Sequence, residues 1–274
     1  MASSENQTHD IRFGGIQRLY GVQEAEWLRR SHVCVIGIGG VGSWVAEALA
    51  RTGVGKLTLI DLDDICATNI NRQIHAMTGT VGASKIDVMA DRIKLINPDC
   101  DVNLIDDFLA TDNLNEYLAQ DYDYVIDAID SVSVKAALIA FCKRRKIPVI
   151  TTGGAGGQTD PTQIAIGDLA KTVQDPLLSK VRHQLRRQYN FSKNTKRKFG
   201  VDCVYSTEQL VYPQADGSVC AAKSGADSDG SMRLDCNAGF GAVTMVTASF
   251  GFVAASRVVK KIIARKQRQL DAEH

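Results

Sequence analysis

The run Asn69-Ile70-Asn71-Arg72-Gln73 and the turn Gly82-Ala83-Ser84-Lys85 carry the residue types that hold phosphates. An arginine guanidinium is a rigid fork of donors matched to phosphate oxygens, side-chain amides add neutral donors, and a lysine supplies a mobile point charge. Upstream, Gly37-Ile38-Gly39-Gly40-Val41-Gly42 has the G-x-G-x-x-G spacing, and Asp61 lies nineteen residues after Gly42. Glycines let a backbone approach a phosphate, helix N–H groups then face it, and Asp61 can accept hydrogen bonds from ribose hydroxyls. Downstream, Asp127 and Asp130 form a D-x-x-D pair able to hold Mg2+ on a leaving pyrophosphate. Glycines and an aspartate serve NAD as well as ATP, but hydride transfer has no use for Arg72, Lys85 and Asp127. The set reads as an adenylating site for ATP and Mg2+, with Arg72, Lys85 and Asp127 as catalytic groups. Gly37, Gly39, Gly40, Gly42, Asp61, Asn69, Gln73 and Asp130 are its further nucleotide contacts.

A second chemistry is written in the other half. From Pro176 to Val201 there is no acidic residue, while Arg182, Arg186, Arg187, Lys193, Lys196, Arg197 and Lys198 are interleaved with Tyr189, Phe191 and Phe199. Cations neutralise phosphates and aromatic rings stack on unpaired bases, so this segment is expected to grip RNA. The plainer alternative is a solvated helix face. The net charge is only +1 over 274 residues, so any attraction for a polyanion must be local. The seven cysteines are scattered without a C-x-x-C pair, which argues against structural zinc or a redox pair. Cys203, Cys220 and Cys236 are candidate acyl or sulfur acceptors, Cys236 first because it sits beside glycines in a turn; an inert buried thiol is the commoner fate.

The elements that must position these groups follow from periodicity. Apolar runs at His32–Ile36, Leu57–Ile60, Val102–Ile105, Tyr124–Ile126 and Ile147–Thr151 read as strands. Helical spacing covers Val41–Thr52, a stretch from a Ser84 cap to Asn97, and one from Ser131 or Ser133 to about Lys146. Strands alternating with helices predict an α/β fold: a Rossmann-like, mostly parallel sheet with helices on both faces. A turn is expected at Gly14-Gly15, followed by a short helix over Val22–Arg30. Beyond about residue 165 the alternation fades into a less regular basic extension, closed by a long helix from about Gly241 to Lys266. The division expected is an arm over 1–30, an ATP-binding fold over 31–165, the basic extension over 166–237 and the terminal helix over 238–274.

Residues 237–256 carry no charge, which meets the length of a membrane span. The glycines, serines and threonines among them favour a buried helix instead, with membrane association as the minor alternative. The polar start of the chain, without a signal peptide, reads as cytoplasmic.

The stretch GIGGVGSWVAEALARTGVGKLTLIDLDD, then NINRQ, VGASK and VIDAID, resembles the adenylating superfamily that includes ubiquitin-activating enzymes and the MoeB and ThiF proteins, over about residues 12–165. The resemblance implies that Gly39 and Gly42 line the nucleotide, Asp61 binds ribose, Asn69, Arg72 and Lys85 contact phosphates, and Asp127 meets Mg2+. It also implies a homodimer in which an arginine of an R-Y-x-R-Q motif crosses to the neighbour's ATP. The arm here reads Arg12-Phe13-Gly14-Gly15-Ile16-Gln17-Arg18, which leaves Arg12 and Arg18 as alternatives. The MoeB-type C-x-x-C zinc pairs are missing. RFGGIQRLYG, GVDCVYSTE and the glycine-rich tail resemble instead the family of tRNA threonylcarbamoyladenosine dehydratases over essentially the full length. That resemblance implies ATP-dependent cyclodehydration of threonylcarbamoyladenosine beside the tRNA anticodon, with a cysteine desulfurase and its sulfur-acceptor protein as partners. The alternative activity is adenylation of the C-terminus of a ubiquitin-like or sulfur-carrier protein, which leaves the basic segment unexplained.

Overall fold

The computed structural model describes residues 2–214, 216–221 and 240–273, with side chains from residue 11 onward. In chain order the elements are α1 (Ala2–Tyr20), α2 (Val22–Arg29), β1 (His32–Ile36), α3 (Gly42–Arg51), β2 (Lys56–Ile60), α4 (Lys85–Ile96), β3 (Asp101–Ile105) and α5 (Leu114–Leu118). They continue with β4 (Tyr124–Asp127), α6 (Val132–Arg145), β5 (Val149–Thr152), β6 (Ile164–Asp168), α7 (Pro176–Gln188), β7 (Asp202–Ser206), β8 (Tyr212–Pro213), β9 (Val219–Cys220) and α8 (Thr244–Glu273).

One sheet runs β3-β2-β1-β4-β5-β7-β6, parallel except for β6, which pairs antiparallel with β7. Central strands covered on both faces must be apolar throughout, and Val33, Cys34, Val35 and Ile36 of β1 are all buried. The chain order reverses direction between β1 and β4, so their carboxyl ends part and leave a crevice there. One apolar core lies under α3, α4 and α8, and the other under α6 and α7.

The expected α/β architecture and the long terminal helix are both present. Two expectations are corrected. Gly14 and Gly15 make no turn: they continue α1, because Phe13 is buried against Gly53 and holds the helix on the body. Tertiary contact here overrides weak glycine propensity. The region after residue 165 is not irregular: β7 joins β5 in the same sheet, and α7 buries Leu178, Val181 and Leu185 at helical spacing. β6 escaped notice because an edge strand is only half buried and lacks an apolar run. The buried helix expected in the uncharged stretch before Arg257 is present from Thr244 onward: α8 buries Val246, Phe250, Ala254 and Ala255, and its Gly251 sits so close to α3 that a β-carbon would lie 2.8 Å from the Trp44 side chain. Among the described residues no helix is long and apolar enough to cross a membrane.

Candidate active site

The glycine loop occupies the crevice between β1 and β4. Gly37 has φ +85°, and a β-carbon there would lie 3.0 Å from the Ala128 carbonyl oxygen of the β4 side. A β-carbon on Gly42 would lie 1.7 Å from the Gly37 carbonyl oxygen, so the loop closes on itself only with glycine at both places. Asp61, just past β2, accepts hydrogen bonds from Ile38 N–H at 2.6 Å and Asp63 N–H at 2.9 Å. Burial pushes its carboxyl above the usual range, against the pull of Lys85 and of these two donors. Asp61 therefore sets the loop's shape.

The second strand end delivers the cluster. Asn69 ends a short 3-10 turn and accepts from Cys66 N–H at 3.0 Å. The Arg72 guanidinium donates to the Thr68 carbonyl at 2.7 Å and the Asn71 amide oxygen at 3.0 Å, and its stem runs alongside Gly40. Gln73 is buried beside Gly39, and its Oε1 has no partner among the described residues. An unsatisfied acceptor under a glycine cradle fits a site completed by a polar ligand. Lys85 opens α4 and is only 6% exposed; its Nζ sits 2.6 Å from Asp63 Oδ2. That carboxylate offsets the unfavourable placement of a cation at a helix N-terminus.

Three supports were not visible in the sequence. Trp44 Nε1 donates to the Arg72 carbonyl at 2.9 Å, and Thr247 Oγ1 to the same oxygen at 3.4 Å. At the start of α8, Asn71 Nδ2 donates to the Ala242 carbonyl at 2.8 Å, and Thr244 Oγ1 donates to the Asn71 carbonyl at 2.5 Å. The terminal helix thus clamps the Asn71–Arg72 turn from residues about 170 positions away. His75, fully buried, contacts the Ile38 carbonyl through Nε2 at 2.8 Å and ties the cluster to the glycine loop.

Burial lowers the His75 pKa from 6.5 to about 4. The folded chain keeps it neutral in that window while the unfolded chain takes up a proton. Stability should therefore fall as pH drops from about 6.5 towards 4, by up to about 3 kcal/mol from this group. Denaturant unfolding at pH 7 and pH 4.5, for the wild type and His75→Gln, measures it. Equal pH dependence in the two proteins would remove His75 as the source.

The two carboxylates at β4 differ in access. Asp127 is sealed: Lys135 Nζ lies 2.8 Å from its Oδ2, Thr151 Oγ1 donates to that oxygen at 2.7 Å, and Ile129 N–H donates to Oδ1 at 3.1 Å. Both Asp127 and Lys135 are wholly buried, so the expectation of Asp127 as the metal ligand is corrected. Asp130 remains exposed at the strand end. Arg12 and Arg18 are both exposed on α1; Arg12 Nη1 donates to the Ile96 carbonyl at 3.3 Å, and Arg18 folds back beside Gly14 and Gly15.

The basic segment is not part of this crevice. The α7 N-cap Asp175 accepts from Gly154 N–H at 2.9 Å, beyond the carboxyl end of β5, while Tyr189 at the other end lies under Arg144 at the end of α6. The 13 residues of α7 span about 20 Å, so Arg187, Lys193, Lys196, Arg197 and Lys198 lie exposed at the far end of the sheet. Arg182 turns inward to Thr172, and burial pulls its pKa down. Arg186 lies 5.2 Å over the Phe199 ring, which packs edge-on to Phe191. These two aromatics are structural rather than free to stack on bases. Cys203 is fully buried and its thiol pKa is raised by desolvation, which makes it inert; Cys220 is exposed, and Cys236 lies outside the described residues.

A family model described as the ThiF family matches residues 15–273. The tRNA threonylcarbamoyladenosine dehydratase of Escherichia coli is 60% identical over 94% of this chain and 96% of its own length. The protein of the same name in Haemophilus influenzae is 59% identical over 97% and 98%. The crystal structure of the E. coli tRNA N6-threonylcarbamoyladenosine dehydratase in complex with ATP superposes with a TM-score of 0.84 at 55% identity, covering 95% of this chain and 97% of that one.

Proposed function

The chain belongs to the ThiF family, and from that premise we propose that it is an ATP-dependent dehydratase acting on threonylcarbamoyladenosine in tRNA. The observation that carries this reading is Arg72, clamped by Trp44 and α8 beside a glycine loop that admits a phosphate, in a chain 60% identical to such an enzyme over 94% of its length. The threonine carboxylate attacks the α-phosphorus of ATP; an acyl–oxygen–phosphorus link forms and the bond to pyrophosphate breaks. Arg72 and Lys85 offset the charge that gathers on the phosphate oxygens in that transfer. The neighbouring carbamoyl group then attacks the activated carbonyl carbon, loses its proton and expels AMP with the bonding electrons. The ring closes within one molecule, so a protein nucleophile is not required.

Mg2+ takes one or two carboxylates together with waters and substrate phosphates, and exposed Asp130 suits that role where buried Asp127 does not. When bound, the ion would draw charge off the leaving pyrophosphate. Exposure of Arg12 and Arg18 on α1 supports a homodimer in which one of them completes the neighbour's site. A cysteine desulfurase and its sulfur acceptor stand as partners on family resemblance alone. Pyrophosphate release stimulated by threonylcarbamoyl-modified tRNA, and not by a small carrier protein, is the expected signature; the reverse preference would reject the reading. Replacing Arg187, Lys193, Lys196 and Arg197 by Gln should weaken tRNA binding about 10- to 100-fold and leave ATP affinity unchanged, as filter binding and calorimetry would show. Unaltered tRNA affinity would free this segment of the role.

A further inference from the structure

At the amino-terminal ends of β4, β5 and β7, at the opposite end of the strands from the glycine loop, lies an open cleft of about 650 Å³. Its cations come from three separate elements: Lys143 and Lys146 from the end of α6, Lys198 from the loop after α7, and Arg257 and Lys261 from the middle of α8. Its two carboxylates are already engaged. Asp168 accepts the backbone N–H groups of Ala170, Phe199 and Gly200. Asp202 receives Arg257 in a two-bonded pair, with Lys261 at 3.6 Å. Lys143, Lys146 and Lys198 have no carboxylate partner among the described residues.

The helix dipole accounts for basic residues at the end of α6, but not for their convergence with Lys198 and Lys261. Lys143 is pinned over Gly200 by a 3.1 Å hydrogen bond to its carbonyl. Lys146 holds a left-handed backbone, φ +59°, at the α6 C-cap, where glycine is the residue without strain. The chain accepts that strain and places a charge at the cleft.

We propose that this cleft is a second phosphate-binding site, which holds the sugar-phosphate backbone of the RNA away from the reacting nucleotide. The inference rests on tRNA as substrate. It extends the exposed cations after α7 onto α6 and α8, so that a stem lying against α6 and α7 reaches the cleft while its loop reaches the crevice. About 20 Å of helix separates the two ends.

The test compares tRNA binding to the wild type, Lys143→Gln/Lys146→Gln and Lys146→Gly across a series of salt concentrations. The double variant should bind about 10-fold more weakly, with the slope of log K against log salt reduced by about one to two. Lys146→Gly relieves the left-handed strain, so its fold is safe; it should lose about half of that affinity effect on a logarithmic scale. ATP affinity should stay at the wild-type value in all three. Wild-type tRNA affinity and salt slope in the double variant would overturn the proposal while leaving the dehydratase reading intact. Inorganic pyrophosphate that binds the wild type but not the double variant, with tRNA affinity equal in both, would reassign the cleft to a small phosphate ligand. A wild-type protein that binds no tRNA would sink the substrate reading itself, and the RNA role of the cleft with it.

Discussion

Arg72→Ala should lower kcat/KM for tRNA-stimulated pyrophosphate release about a thousandfold, or ~4 kcal/mol of transition-state stabilisation, in a chain that remains folded. The side chain is only partly buried, and its guanidinium bonds are local, to Thr68 and Asn71. The contacts that hold this turn on the body run instead through the Arg72 carbonyl, to Trp44 and Thr247, and survive the change. Melting temperature should therefore move by only a few degrees while adenylation collapses. Arg72→Lys restores the charge without the planar fork and should recover a small part of the rate. ATP binding by calorimetry separates a lost ground-state contact from a lost transition-state one. Wild-type turnover in Arg72→Ala would mean that the phosphates lie elsewhere.

The largest stability effect belongs to a lysine sealed inside the body. Lys135→Met leaves Asp127 buried and unpaired, at a cost of about 3–5 kcal/mol. For a chain of this size that is a fall of roughly 10 °C in melting temperature. Only Thr151 Oγ1 and the Ile129 N–H would remain on the carboxylate. Asp127→Asn/Lys135→Met, which removes both charges, should regain most of the loss, because an amide in that place still accepts from Thr151. Thermal unfolding of the wild type, the single variant and the double variant tests this. A single variant as stable as the wild type would show that Asp127 is not committed to Lys135, and would reopen it as a metal ligand.

These two residues mark how far the sequence could be read. Arg72 announced itself, because a guanidinium among amides after a glycine loop has few other uses, and its neighbours in space are largely its neighbours in the chain. Lys135 did not, since one lysine on a helix otherwise reads as a solvated charge. Five parallel strands, the helices between them and the glycine loop were legible because each is encoded within a dozen or so residues by period, glycine spacing and caps. Gly37, Gly42 and Asp61 stand in the relation their spacing implies, and Ser84 accepts from Asp87 N–H as the cap of α4.

By itself, then, the sequence determined an α/β chain with a tight glycine loop after its first strand, a cationic cluster beside it and a separate basic segment. The tertiary structure decided which groups remain available for work. It buried Asp127 against Lys135 and left Asp130 at the surface, committed Phe191 and Phe199 to packing, brought α8 back to clamp Asn71 and Arg72, and set the basic segment about 20 Å from the crevice. Burial and long-range pairing depend on contacts between distant parts of the chain, and no local pattern encodes them.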